Sequence, residues 1–305
     1  MLPIHTEKKE RCAMRLGALE AGGTKMVCSI GDETGKILDR ATFPTLSPAE
    51  TIPPMIEYFQ KAGIEALGIS SFGPLDLNPA SSTYGYVTTT PKPGWGYCPL
   101  LPEFQKALGV PVGIDTDVGG AALAEFQMGA AKGLKNCVYV TVGTGIGAGV
   151  VAEGRLLHGM VHPEWGHMLL RAHPEDPSPR GFCPYHDGCL EGLACGPAID
   201  KRWGVPSREL PHDHIAWEIE AYYLAQFCVT ALVAISTEKI VLGGGIMQEK
   251  FLFPMIREKT LKLLNGYVAA DQVLNHIDEV IVPPGLGIHS GVTGALILAA
   301  EAVRK

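Results

Sequence analysis

Two stretches of the chain repeat one order of short apolar strands and glycine turns. Arg15 to Glu20 reads RLGALE and is followed by the turn Ala21-Gly22-Gly23; Lys25 to Ile30 reads KMVCSI, Asp32-Glu33-Thr34-Gly35 is a second turn, and Lys36 to Phe43 is a third strand. The order returns at Cys137 to Val142, with the turn Gly143-Thr144-Gly145, a strand from Gly147 to Ala152, the turn Glu153-Gly154, and a strand from Arg155 to His158. Glycine supplies tight-turn backbone angles at no steric cost, so each unit reads as a β-meander. A supersecondary unit met twice predicts a duplicated two-domain α/β architecture, and 305 residues suffice for two cores.

Between and after the meanders the pattern alternates. Ser47-Pro48-Ala49-Glu50 starts a helix, Ala66 to Ser70 is a buried strand, and Tyr84 to Trp95 (YGYVTTTPKPGW) reads as a long active-site loop. Val110 to Asp115 is a strand leading through Thr116 and Asp117 into an Ala-rich helix from Val118 to Ala131. Further on come a helical stretch from Cys189 to Trp203, a long core helix from Trp217 to Ile235, a strand from Lys239 to Leu242 running into Gly243-Gly244-Gly245, and a helix from Phe251 to Leu264. A strand from Glu279 to Val282 and a helix from Gly291 to Val303 close the chain. The division expected is a disordered polar extension over 1–13, a first domain over 14–117, and a second over 118–290, with the last helix, 291–305, packing back on the first.

Charge and patterning exclude several function classes. The net charge is −7, without a basic run that would bind nucleic acid. The first residues, MLPIHTEKKERCA, lack the apolar segment of a signal peptide, and no run of about 18 apolar residues is evident. Eight cysteines without a secretory signal point to reduced thiols and a cytoplasmic protein.

The densest chemistry lies in His162 to Glu191, HPEWGHMLLRAHPEDPSPRGFCPYHDGCLE. Cys183, His186 and Cys189 stand at equal short spacings, and thiolate and imidazole are the donors zinc prefers. His162, His167 and His173 are each candidates for a fourth ligand, and Glu164 and Glu191 bracket the cluster. The turns at Gly22-Gly23-Thr24-Lys25 and Gly143-Thr144-Gly145 offer backbone N–H groups and a hydroxyl to an anion. A dinucleotide fingerprint would need a helix after the turn; GIGAGVVAEG runs into another turn and is a hairpin. Asp117 is read either as a helix N-cap or as a general base for a substrate hydroxyl. A phosphate cradle, a divalent cation and a carboxylate base are the parts phosphoryl transfer requires.

With these pieces in order, the chain resembles the ROK family of sugar kinases and repressors, in its fructokinase-like branch. The resemblance rests on Gly22-Gly23-Thr24-Lys25, SFGPLDL, YGYVTTTPKPGW, IDTDV, His162-Pro-Glu164-Trp-Gly-His167, the metal cluster, Gly196-Pro197 and Gly243-Gly244-Gly245. It implies two duplicated actin/hexokinase-like (ribonuclease H-like) domains around a cleft, and ATP-dependent phosphorylation of D-fructose to fructose 6-phosphate. By resemblance, Asp117 is the catalytic base; Glu164, His167 and Glu191 bind sugar hydroxyls; and His167, Cys183, His186 and Cys189 hold a structural zinc. Thr24, Lys25 and Thr144 lie along the phosphates, with Pro197, Gly243, Gly244 and Gly245 on the adenosine side. Glu20 or Asp115 helps place magnesium, and the protein is a homodimer whose interface takes in part of 221–235.

Three positions depart from the commoner family pattern. Glu20 replaces an Asp, Thr116 stands where glucose-type members carry Asn, and His186 replaces a Cys. A kinase for mannose, glucose or an N-acetylhexosamine is the alternative. A sugar-responsive repressor would need a DNA-reading module of roughly 60–80 residues ahead of the first glycine turn, where about thirteen stand.

Overall fold

The computed structural model describes residues 13–90 and 92–304; the extension expected over 1–13 lies almost wholly outside them. The first meander is β1 (Leu16–Ala21), β2 (Lys25–Gly31) and β3 (Ile37–Pro44), followed by α1 (Pro48–Ala62), β4 (Ala66–Ser71), α2 (Leu100–Leu108), β5 (Val112–Thr116) and α3 (Asp117–Gln127). The second is β6 (Cys137–Val142), β7 (Ile146–Ala152) and β8 (Arg155–Leu156), followed by α4 (Leu190–Ala194), α5 (Gly196–Trp203), α6 (Ile215–Ile235), β9 (Lys239–Gly243), α7 (Leu252–Leu264), α8 (Asp271–Leu274), α9 (Ile277–Val280), β10 (Ile281–Val282) and α10 (Ser290–Ala302).

The repeat is present in the sheet topology itself. One sheet runs β3-β2-β1-β4-β5 and the other β8-β7-β6-β9-β10. In each, the meander pairs antiparallel, and two strands then add in parallel beside its first strand. Parallel neighbours require crossover connections, and helices supply them. The fold is α/β, as the sequence predicts.

Each half ends in a helix that covers the other half's sheet. Helix α3 follows β5 but packs on β6 and β7, with Val118 and Ala122 against Tyr139 and Val151. Helix α10 follows β10 but packs on β1, β4 and β5, with Val292 and Leu296 against Leu16, Ala18 and Ala66. The two helices also pack on each other. Glycines make these contacts close. A Cβ on Gly68 would lie 1.8 Å from the Ala295 carbonyl oxygen, one on Gly149 would lie 2.1 Å from that of Val118, and one on Gly294 would lie 2.1 Å from that of Gly120. Glu125 of α3 is fully buried and pins the start of α10: its carboxylate accepts from Gly285 N at 2.9 Å, Leu286 N at 3.0 Å and Ser290 Oγ at 2.7 Å.

Several element bounds differ from the sequence reading, for physical reasons. Residues 279–280 lie in the helical turn α9, leaving only Ile281–Val282 as a strand. The stretch 189–203 is two helices, because Cys195 is extended and caps α5 ahead of Pro197. Helix α2 was not foreseen. The segment 84–95 is less a free loop than expected: Trp95 is fully buried, donates Nε1–H to the Leu46 carbonyl at 2.7 Å, and stacks edge-on to Phe72. Helix α6 is long and apolar enough to cross a membrane by length and composition, contrary to the sequence reading; here it is a core helix packed on α4 and α7, with Trp217, Tyr223, Leu224 and Phe227 buried. Its exposed Val233 lies near its end.

The close helix-on-sheet contact predicts a large effect from one methyl group. Gly68→Ala lowers stability by about 1–3 kcal/mol or more, read as a fall in Tm. Gly23→Ala, whose Cβ meets nothing within 4 Å, leaves Tm unchanged; equal melting of the two variants would contradict the packing account.

Candidate active site

A cleft between the two halves gathers carboxylates. Asp117 is the first residue of α3, and the cap of that helix is Thr116, whose Oγ accepts from Gly119 N at 2.9 Å. The N-cap reading of Asp117 is thereby answered: its Oδ1 accepts from the adjacent Val118 N, at 2.9 Å, rather than capping the second or third N–H of the helix, and the side chain lines the cleft. Burial pushes the Asp117 carboxyl up to about 6; the Val118 N–H bond opposes the rise and the charge of Glu20 adds to it. Glu20, at the end of β1, lines the same cavity; burial raises its carboxyl, while Arg40 and Lys25 pull it down.

The second half contributes two more carboxylates. Burial pushes Glu164 up to about 7, with the charges of Glu191 and Asp117 adding to the rise. Glu191, in the first turn of α4, accepts the Ile146 N–H at 2.9 Å through Oε2, which fixes it against the second glycine turn. The two carboxylates present hydrogen-bond acceptors of the kind that suit a polyhydroxyl ligand.

Two cavities meet at the glycine run after β9. One opening, about 420 Å³, has Glu20, Asp117, Thr141, Gly243 and Gly244 among its walls. Its neighbour, about 440 Å³, is walled by Gly143, Thr144, Gly196 and Pro197 among others, and Gly245 borders both. Gly244 needs its bare α-carbon: φ is +93°, and a Cβ would sit 2.4 Å from Val142 N. Gly196 N–H donates to the Gly143 carbonyl at 2.8 Å, which seats the N-terminus of α5 beside the turn. Thr24 and Lys25 lie at the β1–β2 hairpin and border neither cavity. Sequence reasoning missed Tyr139, Lys250 and Ser290 in the wall; only strand periodicity and proximity to the second glycine turn could have pointed to the first.

The four metal-ligand candidates come together. One donor atom from each of His167, Cys183, His186 and Cys189 lies within 4.8 Å of the other three. Cys183 Sγ is 3.9 Å from His167 Nδ1 and 3.6 Å from His186 Nδ1, and Cys189 Sγ is 3.8 Å from His167 Nδ1. Tetrahedral zinc with bonds of about 2.0 Å to nitrogen and 2.3 Å to sulfur spaces N and S by roughly 3.5 Å, so the donor set fits zinc. Two histidines from the sequence shortlist go elsewhere. His173 Nδ1 accepts from Glu175 N at 3.2 Å. His162 is buried, accepts the Leu75 N–H at 3.1 Å through Nε2, and lies with Nδ1 3.5 Å from Glu164 Oε1. Burial holds the His162 ring below its ordinary proton affinity, against the pull of Asp115 and of the Pro163 carbonyl, with His158 adding to the fall.

Asp115 does not meet the expectation that it helps place magnesium. Its side chain turns away from the cleft cavity to His158, with Oδ2 2.9 Å from Nε2, while Oδ1 accepts from Thr116 N at 2.8 Å. That carboxylate raises the His158 ring above its usual proton affinity. Glu20 is the acidic residue left opposite Asp117.

Comparison with known proteins places this geometry. The model of the ROK family matches residues 16–302. The chain is 46% identical to a fructokinase of Pediococcus pentosaceus over 96% of this chain and 100% of that one. It is 44% identical to a fructokinase of Zymomonas mobilis subsp. mobilis (strain ATCC 31821 / ZM4 / CP4), covering 95% of this chain and 97% of that one. Among solved structures it is similar to the ROK hexokinase from Thermus thermophilus, with a TM-score of 0.76 and 28% identity over 95% of this chain and 99% of the other. With the family model covering nearly the whole chain and a duplicated sheet-and-cleft fold beneath it, the protein belongs to the ROK family.

Proposed function

We propose that the protein phosphorylates D-fructose with ATP, giving D-fructose 6-phosphate and ADP. The observation that carries this reading is Asp117. It is a carboxylate with no capping duty, its proton affinity raised by burial, in a cleft beside glycine turns that suit phosphates. Asp117 takes the proton of the sugar's 6-hydroxyl as the oxygen attacks the γ-phosphorus, and ADP leaves. The cavity at Thr144, Pro197 and Gly245 suits adenosine, and the one at Gly243 and Gly244 leads its phosphates toward Asp117. Glu164, His167 and Glu191 accept from and donate to sugar hydroxyls. Thr24 and Lys25 reach the phosphates once the cleft closes, excluding water as a competing acceptor. Magnesium, when bound, neutralises phosphate charge, with Glu20 the acidic residue available beside Asp117. Fructose is favoured by the fructokinases of high identity that the chain resembles end to end.

The working units are 14–117 with 291–305, and 118–290, which trade their terminal helices across the cleft. Zinc on His167, Cys183, His186 and Cys189 is structural: four protein ligands leave no open position, and its role is to hold His167 and the flanking loop toward the sugar. A homodimer and a reducing, cytoplasmic setting complete the reading; each described cysteine carries a free thiol.

Steady-state kinetics over a panel of hexoses tests the substrate. Fructose has the highest kcat/KM; equal efficiency on glucose or mannose would overturn the assignment. Asp117→Asn cuts kcat by about 10²–10⁴ while fructose KM changes little. Because Asp117 must be ionised to act and titrates at about 6, kcat/KM of the wild type falls below that pH and is level above it. The same raised value means that the folded protein holds this proton more tightly than the unfolded chain. Stability therefore declines as pH rises from about 4 through 6, and Asp117→Asn melts higher than wild type at pH 8. An inactive variant that melts lower would assign Asp117 a structural role instead. Cys183→Ser lowers zinc content, measured by plasma emission spectrometry, and raises fructose KM more than ATP KM.

A further inference from the structure

One loop of the second half reaches into the first half through two histidines. His158 and His162 follow β8, and their partners, Asp115 and Leu75, follow or end strands of the first sheet. We propose that His162 is a positioning residue that clasps the two halves on the sugar side and orients Glu164 for the sugar. The proposal rests on the reading of Glu164 as a sugar ligand.

The bonding of the ring carries the argument. A side chain only 7% exposed must satisfy both ring nitrogens from the protein. Nε2 accepts the Leu75 N–H at 3.1 Å, so the ring proton belongs on Nδ1. Nδ1 lies 3.5 Å from Glu164 Oε1, with the Pro163 carbonyl as a second acceptor beside the ring. The separation is long for a hydrogen bond, as such contacts often are before a substrate is bound. One imidazole thus receives a bond from one half of the molecule and directs its other nitrogen at a cleft carboxylate of the other half.

The donor is rigid. Leu75 is 2% exposed, belongs to the first half's core, and bridges Val87. Gly73 gives the ring room beside this backbone, since a Cβ there would stand 3.3 Å from Nε2. The His158–Asp115 pair straps the same loop to the end of β5. If the halves part, Leu75 N–H leaves Nε2, the tautomer is no longer fixed, and Glu164 loses its directed neighbour. Sugar affinity is then tied to closure by a residue that need not touch sugar.

Kinetics and a mutant cycle with the full-length, metal-replete enzyme test this. His162→Ala raises fructose KM about tenfold and lowers kcat, leaving ATP KM and zinc content unchanged. His162→Gln restores most of the loss, because its amide oxygen can accept from Leu75 N–H while its NH₂ faces Glu164. In the Glu164→Gln background, His162→Ala adds little further loss. Wild-type fructose KM in His162→Ala, or losses that simply add in the double variant, would overturn the clasp. Should His162→Ala melt early, the same cycle run with His162→Gln and His162→Asn decides. Wild-type fructose KM in Glu164→Gln alone would overturn the sugar-ligand reading instead, a result that is separate from any His162 variant.

Discussion

The close crossing of α3 and α10 is the constraint on which the rest of the molecule depends. Each helix ends one half of the duplication and roofs the sheet of the other, so the halves share their covering layer. Backbone meets backbone at Gly68–Ala295, Gly149–Val118 and Gly120–Gly294, where no side chain fits. Because α3 begins at Asp117 and α10 begins beside Gly291, which itself stands against Glu20, two of the cleft's acidic residues are placed by this crossing. A shift of one helix by the width of a methyl group would move both ends of the site together.

Electrostatics explain why the site is costly to build and useful once built. Asp117, Glu20, Glu164 and Glu191 converge without a resident cation among the side chains able to neutralise all four, and Lys25 and Arg40 temper only Glu20. Burial therefore makes Asp117, Glu164 and Glu20 hold their protons more tightly than free carboxylates would, Asp117 and Glu164 most clearly. That poise suits a base that must accept a hydroxyl proton near neutral pH. It also means that the fold gives up stability at the cleft and recovers it in the two hydrophobic cores flanking it.

The sequence carried the architecture well and the connections between halves poorly. The meanders were legible because glycine turns and apolar runs are local signals, and their repetition announced the duplicated sheets. The Cys/His cluster able to hold a metal was legible because three of its members lie within seven residues, and Asp117 stood out because it lies at a strand-to-helix junction. Local signals failed where a long-range partner decides. Asp115 and Asp117 look alike in IDTDV, yet one is engaged by His158 and the other faces the cleft. His162 looked like a spare metal ligand because its true partner, the Leu75 N–H, lies 87 residues away. Residues 279–280 carried a strand pattern and fold as a helical turn, an element too short for periodicity to distinguish.

The loop from 162 to 191 shows how such a long irregular segment can present fixed groups. Its four metal-ligand candidates gather one part, and a buried polar network holds another. Asp176 is fully enclosed with Arg202 of α5, whose Nε is 2.8 Å from Oδ1, and Tyr223 of α6 donates to Oδ2 at 2.5 Å. Glu220, nearby on α6 and buried, is pushed up by desolvation against the pull of Arg202, and Asp176 is the carboxylate in close ion-pair contact with Arg202. Removing either member of that pair would leave the other as an uncompensated buried charge, which is far more damaging than losing an exposed ion pair. Since Arg202 lies on the helix that Pro197 opens, the loop bearing Glu164 and His167 is tied to the wall of the second cavity. The parts assigned to sugar and to adenosine are therefore one packed body, and the relative motion that catalysis needs falls at the cleft, between that body and the half carrying Leu75.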